Sequence, residues 1–410
     1  MHPKQISIAD FTYHLPADKI ALYPLPERDQ SNLLVFKGED IKEDVYKNIA
    51  SYLPENSLLI FNDTKVIQAR ILFSKPSGGV VELFCLEPYG YNNDYALVMN
   101  KTSSVLWKCM IGGAGKWKTL SLEKKILIKG IDTNLKCELI QKGTDACIIE
   151  FNWHPSHFTF GEVIEQAGGI PLPPYIKRKT NHHDKERYQT IYAKEDGSVA
   201  APTAGLHFTE AVFSSLKKIN IKTDFITLHV GAGTFKPVKA VLLADHEMHS
   251  EYMEVTISAI DNIIQNTDSN IIAIGTTSVR ALESLYWVGV KILLQPNIDE
   301  QYLAIKQWEV YDIPLADQNA DAKLALQALI SRMKRDGKEK LVIKTHIMIS
   351  PGYRFRIVKA LITNFHQPNS TLLLLIAAAA GDNWKKIYNY ALENNFRFLS
   401  YGDGCLIFLS

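Results

Sequence analysis

The sequence predicts an α/β protein, a main α/β domain that carries a small inserted all-β barrel. Three observations predict it. Apolar strand-like runs at 58–61, 223–230, 270–274 and 359–362 each break into a polar or glycine-rich turn, and helical patterns lie among them. From 66 to 151 the texture changes to short runs of β formers divided by turn clusters, the pattern of a small barrel or sandwich. Helix-rich sequence lies on both sides of that stretch, and 410 residues exceed a typical single domain. The expected division is therefore 1–65 with 152–410 as the main domain and 66–151 as the insertion.

Taken in order, residues 18–22 make one or two helical turns between prolines that impose an extended entry and exit. Residues 33–36 and 58–61 read as strands. The second ends in Asn62-Asp63-Thr64, a polar triplet that forms either a site edge or an Asx turn. Strand-like runs follow at 66–73, 80–86, 95–99, 106–111, 126–128, 135–141 and 146–151, with no helical period between them. Thr159-Phe160-Gly161-Glu162 is a capping box, and its helix stops at Gly168-Gly169. The strip IPLPPYIKRK is preset as extended by proline. It ends in Lys177, Arg178 and Lys179, cations that either grip phosphates or stay solvated.

Thr209 caps a helix over 210–219, and 223–230 is a buried strand ending near His229. The turn after it, Gly231-Ala232-Gly233-Thr234, resembles half a dinucleotide fingerprint. Pro237 and the missing third glycine exclude the helix that motif needs. His246 and His249 are spaced to share a helix face, but not as the zinc-protease motif spaces its ligands. A strand at 270–274 turns through Gly275, Thr276, Thr277 and Ser278 into a helix running to about 288. That arrangement cradles a carboxylate or phosphate, with Arg280 one turn in. A surface helix over 316–334, a strand at 359–362, an apolar helix to 380, a helix over 382–394 and a hairpin of 396–401 with 405–409 complete the chain.

Composition excludes several classes. An apolar fraction of 46% and a charged fraction of 22% are those of a globular protein. The 45 basic and 44 acidic residues leave a net charge of +1, so contact with nucleic acid must rest on a local patch. The five cysteines form no CxxC pair, and their odd number argues against a disulfide framework and for reduced thiols in a cytoplasm. The N-terminus has no apolar signal core and the longest apolar run, 372–380, is too short for a bilayer, so no membrane partner is expected.

The stretch GSVAAPTAGLHF, residues 197–208, concentrates small residues that let backbone approach a ligand closely. His207, its penultimate residue, stands just before a helix N-terminus, whose dipole disfavours imidazolium. This stretch, together with LHVGAGTF, MHSE, GTTSVRALES, ITNFHQPNSTLLLL and FRFLSYGDG, resembles the S-adenosylmethionine:tRNA ribosyltransferase-isomerase family of queuosine synthesis. FTYHLPADKIA, FNDTKVIQAR and GGIPLPPYIKR extend the likeness over nearly the whole chain.

The resemblance implies an α/β domain with an inserted β-barrel. It implies transfer of the ribosyl part of S-adenosylmethionine to 7-aminomethyl-7-deazaguanine at the tRNA wobble position, with isomerisation to epoxyqueuosine and release of adenine and methionine. S-adenosylmethionine would be a consumed co-substrate, with no metal or redox cofactor, and the enzyme a monomer. The chemistry asks for a base at the 5′ carbon and a proton donor for adenine, roles suited to histidine. His207, His366, Asp63 and Asp403 are the catalytic candidates. Thr203, Gly205, His229, Gly231, Gly233, Thr234, Glu251, Thr276, Thr277, Ser278, Arg280 and Asn364 are the substrate-binding ones, and Lys177, Arg178 and Lys179 face tRNA.

The chain departs from the family pattern at Asn32, Ser350, Lys359 and Ala380 and in the extra stretch 296–314, changes that bear on substrate identity. These features motivate one alternative, a paralogue acting on another nucleoside or acceptor, and the inserted barrel with the strip Lys177–Lys179 motivates another, a non-catalytic RNA-binding protein.

Overall fold

The structure is a computed structural model that describes residues 2–409 except 76–77, 91–93, 114–116, 118–120, 145, 232, 234–237 and 239. Its centre is a nine-stranded mixed sheet. Across it run Lys340–Thr345, Glu251–Thr256, Lys222–His229, Leu58–Asn62, Ile271–Ile274, Ala360–Asn364, Gly404–Phe408, Asn32–Lys37 and Asp40–Val45. The four strands from Lys222–His229 to Ala360–Asn364 are mutually parallel. Parallel strands covered on both faces read as unbroken apolar runs, which LLIFN and IIAI are.

Side chains alternate between two cores. Leu58, Ile60, Ile271 and Ala273 join the core containing Leu282, Leu285 and Leu373, whereas Leu59, Phe61, Ile272 and Ile274 join Phe208, Val212 and Leu216. Helices therefore cover both faces. The most buried, Thr276–Leu294, is apolar nearly all round and runs through the larger core. Gly289 lets it meet the helix Ala322–Arg335, because a Cβ there would lie 2.2 Å from the Ala325 carbonyl oxygen.

A second sheet of seven antiparallel strands curls into a half-barrel. Its order is Gly168–Gly169, Arg70–Ser74, Val80–Pro88, Ser104–Gly112, Cys147–His154, Ile131–Gln141 and Ser121–Ile128. Trp107, Phe151 and Phe160 fill its core, the last from the helix Phe160–Ala167 that the Thr159 capping box starts.

Several expectations are corrected. Residues Tyr95–Met99 form a helix, not a strand: Asp94 caps it, accepting from the Leu97 N–H at 2.8 Å, and so short an apolar run has no period to separate the two states. The chain does not end in a hairpin. Gly404–Phe408 lies between Asn32–Lys37 and Ala360–Asn364, while Phe398 bridges to Ile20. The surface helix starts only at its Asp321 cap. His246 and His249 share no helix, and the chain after them pairs as the strand Glu251–Thr256. All five cysteines are free and buried. Among the described residues, no helix is long and apolar enough to cross a membrane.

Candidate active site

Open α/β sheets bind ligands outside the carboxyl ends of their parallel strands. Here Val230 leaves the strand Lys222–His229, Gly275 to Thr277 leave Ile271–Ile274, and Asn364 to Gln367 leave Ala360–Asn364. These turns and the residues 200–204 line one cleft. Tyr175, partly exposed, adds aromatic surface, and Tyr188 and Phe365, almost wholly buried, line the same cleft. Gly275 takes φ +86°, a left-handed conformation that admits glycine readily and starts the buried helix without a side-chain cap. Ser278 spends its hydroxyl on the Ile274 carbonyl at 2.8 Å. Thr277 Oγ1 and Asn364 Oδ1, by contrast, are buried at the cleft with no protein partner. Buried polar atoms are nearly always satisfied, so such atoms mark where a ligand's polar groups go.

Of the candidate catalytic residues, His366 alone lines this cleft. Its Nε2 lies 2.8 Å from Thr363 Oγ1, its backbone N–H donates to the Tyr388 hydroxyl at 3.0 Å, and Tyr13 donates to its carbonyl. Burial lowers its pKa to about 3, so the ring is neutral at pH 7. His207 sits one layer behind. It stacks on Tyr46 with centroids 4.4 Å apart, and its Nε2 is 3.2 Å from Asn364 Nδ2. Burial lowers its pKa to about 4, against the opposing charge of Asp403.

Arg280 lines a neighbouring cleft with Gly231, Gly233, His246, His249 and Glu251, and the two clefts share Leu372. Its guanidinium pairs with Glu251 through Nη1 and donates to the Ile347 carbonyl through Nε, while the buried Nη2 has no partner. Gly233 makes the approach to His249 possible, since a Cβ would lie 1.9 Å from the imidazole Cδ2. Thr234 lies outside the described residues.

Of the remaining candidates, Thr203 and Thr276 belong to the first cleft and the others lie outside it. Thr203 and Thr276 line the first cleft, but Gly205 backs onto Tyr192, where a Cβ would lie 1.9 Å from the hydroxyl oxygen. Asp63 accepts from Thr227 Oγ1 at 2.7 Å, and burial raises its pKa. Asp403 is fully buried and takes four donors from Asn32 and Arg397. His229 is packed on Tyr95 and lies 3.1 Å from Thr64 Oγ1 and 3.5 Å from Glu254 Oε1. Lys177 and Lys179 are exposed, whereas Arg178 closes a two-point pair with buried Asp184 at 2.7 and 2.6 Å.

Sequence reasoning missed Tyr175, Tyr188 and Ser400 in the cleft wall, and Glu283 away from it, beside the segment that leads into the amino end of the strand Ala360–Asn364. Glu283 is wholly buried and accepts from Tyr353 and from the backbone of Arg356, Ile357 and Val358. Their motifs were visible, but nothing local to a tyrosine or serine says it will line a cleft. The departures lie off the first cleft. Lys359 is exposed at the far end of the strand Ala360–Asn364, Ala380 is in the apolar core, Ser350 packs at Tyr311, and Asn32 serves Asp403. The extra stretch reaches the second cleft through Gln307, which donates to the His246 carbonyl at 2.7 Å and accepts from the Met248 N–H at 2.9 Å.

Fold and cleft define an α/β protein with a cleft at the carboxyl ends of the parallel strands of its central sheet. The chain belongs to the family described as queuosine biosynthesis protein, which matches residues 8–407. It is 37% identical over 98% of its length to an S-adenosylmethionine:tRNA ribosyltransferase-isomerase from Halothermothrix orenii, covering 100% of that protein. It is 36% identical over 97% of its length to the protein of that name from Caldanaerobacter subterraneus subsp. tengcongensis, covering 99% of it. A crystal structure of the S-adenosylmethionine tRNA ribosyltransferase from Thermotoga maritima aligns with 97% of this chain and 99% of its own, at 25% identity and a TM-score of 0.45.

Proposed function

We propose that this protein is an S-adenosylmethionine:tRNA ribosyltransferase-isomerase. It transfers and isomerises the ribosyl moiety onto 7-aminomethyl-7-deazaguanine at the tRNA wobble position and releases adenine and methionine. The observation that carries this reading is the match over 98% of the chain, and 100% of the relative, to a protein of that name.

The cleft geometry supports a distribution of roles. The nucleoside occupies the first cleft between the small turn 200–204 and the aromatic walls, which exclude water from the reacting carbons. Neutral His366 is the candidate base for the 5′ carbon, because it lines that cleft and its burial keeps the ring unprotonated. The methionine carboxylate reaches into the second cleft toward the unpartnered Nη2 of Arg280. Lys177 and Lys179 contact tRNA phosphates at the surface.

S-adenosylmethionine serves as a consumed co-substrate with no further cofactor, and the protein works as a cytoplasmic monomer. Residues 66–151 act as an inserted domain, with 1–65 and 152–410 as the catalytic one.

The test is incubation with S-adenosylmethionine and tRNA carrying the aminomethyl precursor, followed by nucleoside mass spectrometry. Epoxyqueuosine with equimolar adenine and methionine is expected. Absence of all three while both substrates bind overturns the reading.

A further inference from the structure

Asn364 is held in one orientation by two backbone carbonyls. The Arg28 carbonyl, 3.4 Å from His207 Nδ1, can only accept, so that nitrogen carries the ring proton of the neutral imidazole. His207 Nε2 is then an acceptor, and it takes a proton from Asn364 Nδ2 at 3.2 Å. The Asp403 carbonyl, 3.5 Å from the same Nδ2, requires a donor there as well. A turned-over amide would set oxygen against both acceptors. The Asn364 oxygen is therefore left as a fixed acceptor in the cleft wall, 98% buried side chain and all, with no partner of its own. Stacking on Tyr46 keeps the imidazole from swinging out of this chain of bonds.

We infer that Asn364 accepts a hydrogen bond from the exocyclic amine of the co-substrate's nucleobase, and that His207 is the positioning residue that holds this acceptor in place. The inference rests on the proposed use of S-adenosylmethionine and adds how its base is told from a 6-oxo purine. A 6-oxo base would set its carbonyl against the Asn364 oxygen, whereas a 6-amino base completes it. The arrangement favours the base over the methionine amine because Tyr175, which is partly exposed, lines the same cleft and offers it an aromatic ring.

The test measures binding of three ligands to the full-length protein by calorimetry: S-adenosylmethionine, its 6-oxo (inosine) counterpart, and its counterpart lacking the α-amine. Wild type should prefer the 6-amino ligand over the 6-oxo one by roughly thirtyfold or more, as sites that leave a polar group unpaired do. Asn364→Ala should shrink that preference to within about threefold and leave discrimination against the desamino ligand unchanged. His207→Phe keeps a ring on Tyr46 but has no acceptor, which leaves only the long 3.5 Å bond to the Asp403 carbonyl to orient the amide, so the preference should weaken. His207→Gln, whose amide oxygen can stand in for Nε2, should retain it.

Each preference is a ratio within one preparation, so partial misfolding does not imitate the effect. An Asn364→Ala protein that keeps the wild-type preference overturns the inference. So does one whose loss falls on the desamino ligand instead, which would place the α-amine at Asn364. Failure of wild type to bind S-adenosylmethionine at all would instead refute the proposed function, and the inference with it.

Discussion

Asp403 separates a reacting carboxylate from a structural one. It is wholly buried, and its two oxygens take four donors: Asn32 N–H at 3.1 Å and Arg397 Nη2 at 2.7 Å on Oδ1, Arg397 N–H at 2.8 Å and Asn32 Nδ2 at 3.3 Å on Oδ2. Asp403→Asn keeps the shape but replaces one oxygen by a donor. Whichever way the amide turns, two of the four bonds are lost and two donors face an NH₂ group. Hydrogen bonds to a charged group contribute about 1.5–3 kcal/mol each. Arg397 is partly exposed, so water recovers part of its loss, and the expected destabilisation is about 3–4 kcal/mol. That is a large share of the roughly 5–15 kcal/mol that holds a typical domain folded. Urea unfolding followed by fluorescence should show the midpoint falling accordingly. Turnover per folded molecule, taken below the transition, should stay within about threefold, because the carboxylate's acceptor positions are already filled inside the wall. A variant of wild-type stability whose turnover has fallen a hundredfold would refute this reasoning and place the carboxylate in the chemistry.

Three further outcomes are expected. His207 and His366 have pKa values lowered by burial to about 4 and about 3, below the unfolded 6.5, so their stability contribution is complete above pH 6.5 and is lost as pH falls. Each adds about 1.4 kcal/mol per pH unit to that loss. Since burial lowers His246 and His346 too, the check is the difference: His366→Gln should make the slope of unfolding free energy between pH 6 and 4 shallower, and an unchanged slope would contradict its burial. Replacing Lys177 and Lys179 with alanine should reduce the salt dependence of tRNA binding by about one to two phosphate contacts. Arg178→Ala should instead destabilise the fold by about 3 kcal/mol by stranding Asp184, and the reverse pattern would assign the charge of Arg178 to RNA. Gly289→Ala should cost about 3 kcal/mol in thermal unfolding by driving a Cβ into the Ala325 carbonyl, whereas a loss under about 0.5 kcal/mol would mean that the helices are not in contact there.

The sequence by itself determined whatever depends on neighbours within one or two turns. The Thr159 capping box, the Thr209 cap, the apolar runs of the parallel strands and the turn at Gly275 all sit where their patterns put them. Each is a contest between backbone states that adjacent side chains settle. The family was legible for a related reason: six ordered motifs are a linear property. Only the tertiary structure decided depth and partnership. His207 and His366 look alike in the chain, yet one lines the cleft and the other stands behind Asn364, 157 residues away. Lys177, Arg178 and Lys179 read as one basic strip until Asp184 takes the middle charge. Asp403 reads as a free acid at a glycine turn until Asn32, 371 positions earlier, fills its oxygens. Burial and hydrogen-bond completion are set by groups that meet only when distant segments pack, and no pattern local to a residue reports who will arrive.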